Sequence, residues 1–368
     1  MVASPVTDRR FPGQNKFKLG LFSFNTYGGL TNTMAKERWQ ANWPNMCNLA
    51  IMAEESGIEF LLPLAGWMGH NGDAPTDGHF HETMSWAAGL LSATKSIHVF
   101  ATIHAPFLNP VFAAKQSVTC DHIGSGRLGL NLVAGYNEKE FDMFGVPYFG
   151  HSERYAYLED WLSVVRKIWL KQEAFSHQTE FFNLKDVVGF PKPFGNTLPM
   201  VVSAGSSPEG RAFALSKADA LFMVVKSIET LADDIRPVKL QMGNRPIKIY
   251  CSGHVICRRS KHETDEYYKY LIHDNGDWAA GRYMQKSYEE IKSVPIEILK
   301  TPEFLARLMS GHGTLPIVGN PEQVTKLIID LHKAGLDGLA FALPNYLDDF
   351  PLFAEEVIPR LIEAGLRD

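Results

Sequence analysis

The chain has 368 residues, 45% of them apolar and 21% charged, which allows a large hydrophobic core and excludes disorder over most of the length. A net charge of −5 argues against a general nucleic-acid binder or a basic membrane-surface protein. The four cysteines, Cys47, Cys120, Cys251 and Cys257, are too few for a disulfide scaffold and match no CxxC zinc pattern, so they read as reduced core thiols.

In chain order, residues 1–16 read as a mobile polar tail. Arg9-Arg10 is followed by FPGQNK, not by an apolar export segment. No stretch approaches the roughly 18 apolar residues of a membrane span, and a cytoplasmic protein is expected. Phe17 to Phe24 is the first strand. Trp43 to Ser56 has helical spacing and stops at Gly57. Ile58 to Leu62 is a strand, Glu82 to Thr94 a helix, and Ile97 to Thr102 the third strand. Asn109 caps a helix over 109–123, with Pro110 at its first position. Arg127 to Val133 is the fourth strand, followed by helices at 138–144 and 153–169. Pro199 to Ser203, Ala220 to Val224, Ile247 to Ile256 and Gly338 to Leu343 complete the strands. Helices are predicted at 208–217, 227–242 (bent or broken near Pro237), 321–334 and 352–364.

Eight short, nearly continuously apolar strands alternating with helices predict a single (β/α)8 barrel over 17–368. A doubly wound open sheet competes, but has no need of so even an alternation. Two segments depart from the alternation. Residues 173–196 read as a hairpin-like excursion, and 258–315 as a charged, partly helical insertion ending in Ser310-Gly-His-Gly-Thr314. Long insertions on a barrel are usually functional, because its active sites are built from loops at the strands' C-terminal ends.

Gly124-Ser-Gly126-Arg-Leu-Gly129 satisfies GxGxxG, yet these glycines follow a helix and open a strand, the reverse of a dinucleotide fingerprint. They fit a turn. A better anion site is Ser203-Ala-Gly205-Ser206-Ser207-Pro208, which leaves a strand and enters a helix. Its backbone N–H groups and dipole suit a phosphate, though an ordinary capped helix reads equally well. Asn131 is a polar residue in an apolar strand, so it is either satisfied by backbone or turned to a ligand. Downstream lie Glu140 and Arg154-Tyr155. Arg154 suits a phosphate or a surface salt bridge.

His70, Asp73, Asp77, His79 and His81 invite a metal, but all five sit in one polar loop. With Trp67, Met68 and Phe80 that loop reads better as a pocket wall. Thr102 ends the third strand, followed by His104 and Phe107. No GxSxG elbow and no nucleophilic cysteine context is present. So little acid–base machinery favours a cofactor that carries the chemistry.

The run Asp121-His122 through Arg127, Asn131 and Gly135-Tyr136 resembles the hallmark of the bacterial-luciferase-like flavin monooxygenases. So do Phe144-Gly145, His151-Ser-Glu-Arg154-Tyr155, Ser203-Ala-Gly205-Ser206-Ser207 and Val318-Gly319-Asn-Pro321. The likeness extends from the first strand to the last helix and is closest to the pyrimidine and dimethyl-sulfone monooxygenase branch. It implies a barrel that uses reduced FMN, supplied by a separate NAD(P)H-dependent flavin reductase, and O2 to oxygenate a small heterocycle, sulfone or ketone.

By the same resemblance, Ala65 and Gly66 would line the flavin, and Thr102 and Asn131 would contact its ring and oxygen site as the catalytic pair. Glu140 would lie at the cofactor, and Arg154, Tyr155, Ser206 and Ser207 would hold the phosphate end. Trp67, Met68, His104, Phe107 and Tyr136 would wall the substrate pocket. Tyr136 stands where that branch has Trp, and the loop 67–81 differs, so the substrate stays open. A homodimer or homotetramer is implied, with no metal, nucleic acid or membrane partner. The competing readings are a metal-dependent barrel hydrolase using His79 and His81, and a non-catalytic flavin binder.

Overall fold

Short apolar runs that must bury both faces become parallel strands in the computed structural model, which describes residues 14–205, 207–290 and 296–368. The strands are β1 (Lys18–Phe22), β2 (Phe60–Leu62), β3 (His98–His104), β4 (Leu128–Val133), β5 (Phe175–Gln178), β6 (Asn183–Val187), β7 (Met200–Ala204), β8 (Ala220–Met223), β9 (Lys248–Cys257), β10 (Leu315–Gly319) and β11 (Gly338–Ala342). Among the described residues nine of them form one parallel sheet, in the order β10-β9-β11-β1-β2-β3-β4-β7-β8, and β8 pairs with β9 to close it. The result is the (β/α)8 barrel, with helices outside.

Register fixes which side chains enter the barrel. Gly20 pairs with Phe60, Thr102 with Asn131, and Asn131 with Val202. Val202 pairs with Ala220, Phe222 with Tyr250, and His254 with Ala342. These positions share one face of the sheet, because successive side chains alternate. Phe60 meets Phe100, Phe222 and Tyr250 at centroid distances of 5.8, 6.4 and 5.8 Å, so strands on opposite sides touch and the face is the barrel interior. Burying each ring contributes about 1.5–3 kcal/mol. The aromatics demand a small residue opposite: a Cβ on Gly20 would lie 2.2 Å from the Phe60 ring.

The outward positions pack under the helices. Asn109 accepts from Val111 N at the start of Pro110–Ile123, as its sequence predicts. Gly124 and Gly126 form the turn that follows, with Gly129 already in β4: Gly126 N donates to Asp121 O at 2.9 Å and Ser125 has φ +51. Cys120, Cys251 and Cys257 are buried free thiols, and Cys47 is half-buried. At the N-terminal end of the barrel Arg367 pairs with Glu59 at 2.9 Å, both almost wholly buried. Of the expected tail, residues 1–13 lie outside the described residues, while Asn15 donates to Glu59 at 2.6 Å and Lys16 N to Leu366 O at 2.9 Å.

The 173–196 excursion is the antiparallel hairpin β5–β6. Three expectations need correction. β1 ends at Phe22 rather than Phe24, because Ser23 turns to φ +66. The helix Ile228–Met242 runs through Pro237 unbroken, since Leu231, Ile235 and Val238 anchor both halves on the barrel. The last helical stretch begins at Tyr346 rather than Leu352, with Pro351 inside it and a π segment at Phe353–Val357.

A strand that the sequence does not suggest follows directly on the insertion. β10 carries Pro316, which reads against an interior strand. Gly253 pairs with Phe341 of β11 and with Leu315 of β10, so β10 takes the edge of β9 left free above β8. It pairs with β9 alone among the described strands, and an edge tolerates proline. The helices Lys261–Tyr268, Trp278–Glu290 and Pro302–Gly311 precede it over the barrel mouth.

Candidate functional site

All the barrel strands are parallel, so their C-terminal ends meet at one mouth. Thr102 and Asn131 face inward there, both nearly buried, with Asn131 Nδ2 donating to Thr102 Oγ1 at 3.2 Å. Thr102 Oγ1 donates in turn to Pro63 O at 2.7 Å, and its carbonyl accepts from Thr83 Oγ1 at 2.6 Å. The pair is therefore locked to the end of β2. Asn131 Oδ1 is buried and has no hydrogen-bond partner. Leaving such an acceptor unmade costs about 1–3 kcal/mol, so its presence points to a donor supplied from outside the chain.

The loop after β2 is held from a distance of 73 residues. Buried Glu140, in the helix Glu138–Phe144, accepts from Trp67 N at 2.9 Å. Burial pushes its carboxyl up, and the Trp67 and Met68 backbone N–H groups pull it down. This places Ala65 and Gly66, both half-buried, beside the mouth. An aromatic wall continues from the loop: Trp67 meets Phe144 at 4.8 Å, Phe144 stacks on Phe107 at 4.4 Å and 2°, and Phe107 meets His104 at 5.2 Å. Desolvation lowers His104 to about 4, so it is neutral at pH 7. Met68 and Tyr136, 37% and 58% exposed, stand at the rim.

A third group gathers where β7 enters the helix Pro208–Lys217. Ser207 caps it, accepting from Gly210 N at 3.1 Å. The Tyr155 hydroxyl reaches this turn: a Cβ on Gly210 would lie 2.5 Å from it. Buried Arg154 lies over the Tyr148 ring at 4.5 Å and donates Nη1 to Phe149 O at 2.7 Å, while its Nε has no partner. Among the described residues no carboxylate pairs with it. A buried guanidinium without a counter-charge, next to a helix N-terminus, is a cradle for an anion. A Cβ on Gly205 would lie 2.5 Å from Gly210 C, so only glycine lets the two backbones close here. Ser206, expected in this group, lies outside the described residues.

His79 and His81 do not converge with other ligands. His81 Nε2 bonds Ala41 O at 2.7 Å, and the His79 and His81 imidazoles pack on Tyr27 at 5.7 and 6.2 Å respectively. Among the described residues no three His, Cys, Asp or Glu side chains could hold a metal together.

Sequence reasoning missed the residues that the insertion and β9 bring to the mouth. His254 faces inward and is 1% exposed. His312, after Pro302–Gly311, meets His70 at 4.8 Å and bonds Asn32 Oδ1 through Nε2 at 3.2 Å. The available signal at 254 is the one used for Asn131, a polar residue in an apolar strand.

A family model described as luciferase-like monooxygenase matches residues 17–338. The FMNH2-dependent dimethylsulfone monooxygenase of Pseudomonas putida is 28% identical over 349 residues, covering 92% of this chain and 93% of that one. The pyrimidine monooxygenase RutA of Shigella flexneri is 26% identical over 356 residues, covering 93% and 91%. The crystal structure of a riboflavin lyase with modified FMN and riboflavin superposes with a TM-score of 0.83 at 21% identity, covering 96% of this chain and 93% of that one, which shows the shared fold.

Proposed function

This chain belongs to the luciferase-like monooxygenase family and is an oxidoreductase, and from that premise we propose that it uses reduced FMN and O2 to transfer one oxygen atom to a small organic substrate. The other oxygen leaves as water. The observation that carries the reading is the pairing of an unsatisfied Asn131 Oδ1 at the mouth with an uncompensated Arg154 beside the Ser207 helix cap. A flat ring bearing N–H groups and a phosphate tail fits both ends.

The residues present fit FMN. Arg154, Tyr155 and Ser207 would hold the phosphate end. Ala65, Gly66, Thr102, Asn131 and Glu140 would border the ring, Glu140 through its grip on Trp67 N. When bound, reduced FMN supplies the two electrons that activate O2. The chain's own part is to orient and to exclude water. Thr102 fixes the Asn131 amide so that its bare acceptor Oδ1 could meet an N–H of the bound ring and orient it. Trp67, Phe107 and Phe144 form an apolar screen that keeps bulk water from the reacting atoms. His104, uncharged at pH 7, adds a polar edge without adding a cation. Met68 and Tyr136 border the entrance.

A separate flavin reductase supplies the reduced cofactor, and the working form is a homodimer or homotetramer. The relatives' names leave a sulfone and a heterocycle as candidate substrate classes, and the resemblance read from the sequence adds a ketone. Anaerobic titration with reduced FMN, followed by a coupled assay with a reductase, NADH and substrates of each class, tests the reading. Saturable binding and an 18O-labelled product are expected. Absence of reduced-FMN binding overturns it.

A further inference from the structure

The segments that follow β1, β2 and β9 at the barrel mouth enclose a cavity of about 40 Å³, with Tyr27, Asn32, Arg38, His70, Phe80 and His312 on its wall. Room of that size holds about three water-sized groups. The three segments are tied to one another around it. Asn32 N donates to Met309 O at 2.8 Å, Asp277 N to Asn32 O at 2.9 Å, and Thr33 Oγ1 to Leu271 O at 2.8 Å. The Asp277 carboxylate binds the insertion to the loop 67–81, accepting from Asp73 N at 3.0 Å, Ala74 N at 2.8 Å and Ala280 N at 3.1 Å. The space is therefore held open by its own walls.

Among the described residues Arg38 is the only Lys or Arg that lines it. Its Nη1 donates to Ala35 O at 3.2 Å, its Nε has no partner, and among the described residues no carboxylate pairs with it. Asp77 and Asp277 also line the cavity, but backbone has taken both. Asp77 accepts from His70 N at 2.9 Å and Gly72 N at 3.0 Å, as Asp277 accepts from its three N–H groups. Those dipoles offset the two negative charges. The chain lies close against each carboxylate: a Cβ on Gly69 would lie 2.4 Å from Asp77 Oδ2, and one on Gly72 2.5 Å from Asp277 Oδ2. His70 and His312 add no cation, since burial lowers both below the usual histidine range. A guanidinium without a counter-charge is left on the wall of a small preformed space.

Phe80 joins this space to the cofactor site. Its ring lines the cavity, and a Cβ on Gly66 would lie 3.0 Å from the same ring. Gly66 is a residue that would border the flavin, so Phe80 stands between the two.

We propose that the cavity is an anion subsite in which Arg38 takes a carboxylate carried by the substrate, which makes the substrate a small organic carboxylate and not a neutral molecule. A carboxylate is planar, matches the guanidinium fork and is small enough for the space. A sulfonate or phosphate head is tetrahedral and larger. The inference rests on the flavin monooxygenase reading and narrows its substrate. Arg38 is a specificity-determining residue in this account, and it acts away from the reacting atoms.

The test compares three pairs of probes by anaerobic calorimetry on the full chain loaded with reduced FMN: methylsulfonylacetate with dimethyl sulfone, orotate with uracil, and 4-oxopentanoate with butanone. Wild type should bind the carboxylate of at least one pair about tenfold or more tighter than its neutral partner, the gain from a charge-assisted contact. Arg38→Met should bring that ratio close to one, and Arg38→Lys, which keeps the charge and loses the fork, should retain part of it. Reduced-FMN affinity and Tm should be unchanged in both. Acetate should compete with the carboxylate probe, and methanesulfonate should not. A wild type that favours the carboxylate in no pair overturns the inference, as does a folded Arg38→Met protein that keeps the full preference. Acetate that binds without competing shows a free-ion site and overturns the assignment to substrate, and methanesulfonate that competes as well as acetate overturns the assignment to a carboxylate. The wild-type comparison needs no variant to fold. Failure of wild type to bind reduced FMN is a separate result that removes the flavin reading, while acetate binding to the flavin-free chain, lost in Arg38→Met, still reads the subsite.

Discussion

Asn131 Nδ2 donates to Thr102 Oγ1 at 3.2 Å while Asn131 Oδ1, on the same amide, is buried with nothing to accept from. One half of the side chain is structural and the other half is unmet. Asn131→Leu removes both. Because the chain already bears the unmet acceptor, the stability change should be small, within about 1 kcal/mol by urea unfolding. Reduced-FMN affinity should fall about tenfold or more. A variant that loses stability and keeps full flavin affinity would place Oδ1 outside the cofactor site.

Arg154 has no carboxylate partner among the described residues. A charge-assisted contact to a phosphate is worth about 1.5–3 kcal/mol, so Arg154→Met should weaken FMN by about ten- to hundredfold. Riboflavin, which lacks the phosphate, should bind wild type and Arg154→Met alike. Fluorescence titration of both flavins reads the difference. An equal loss for the two would mean that the substitution disturbs the fold and not a phosphate contact.

Glu140 ties the helix 138–144 to Trp67 N at 2.9 Å. Glu140→Ala frees the loop that carries Ala65 to Met68 and leaves a buried N–H unpaired, at a cost of about 1–3 kcal/mol. Glu140→Gln keeps an acceptor and should recover much of the lost stability. Hydrogen exchange at 65–68 should rise in the alanine variant and stay near wild type in the glutamine variant.

His104 and His254 are lowered to about 4 and about 3, in each case first by burial. Both values lie below the unfolded histidine value of about 6.5. The stability they contribute is therefore full above that pH and is lost as pH falls toward 4 and then 3, because the unfolded chain takes up the protons. His104→Phe should reduce the slope of unfolding free energy against pH by about one proton between pH 6 and 4.5. Urea denaturation at pH 7.5, 6 and 5 measures it. An unchanged slope would show that His104 is solvated in the folded protein.

The alternation of apolar strands and helices was readable along the chain because each barrel strand is local, short and buried on both faces. The cap at Ser207-Pro208 was readable for the same reason: capping is decided within four residues. Asn131 stood out as a polar residue in an apolar run, and its inward direction agrees. His254 carries the same signal, but strand composition alone does not say which parity faces the barrel axis. Only register with β11 and β10 decides that. β10 was hidden by Pro316, acceptable because the strand is an edge, and an edge is a property of the assembled sheet.

Local sequence settled the elements, their order and the polar residues available to a site. Their meeting belongs to the tertiary structure. Trp67 is reached by Glu140 across 73 residues, and His254 by Thr314 across 60. Contacts of that separation form only when the sheet closes and the insertion folds over its mouth. Whether an acceptor is satisfied or left bare depends on what the closed barrel brings within 3 Å of it, and no spacing along the chain encodes that distance.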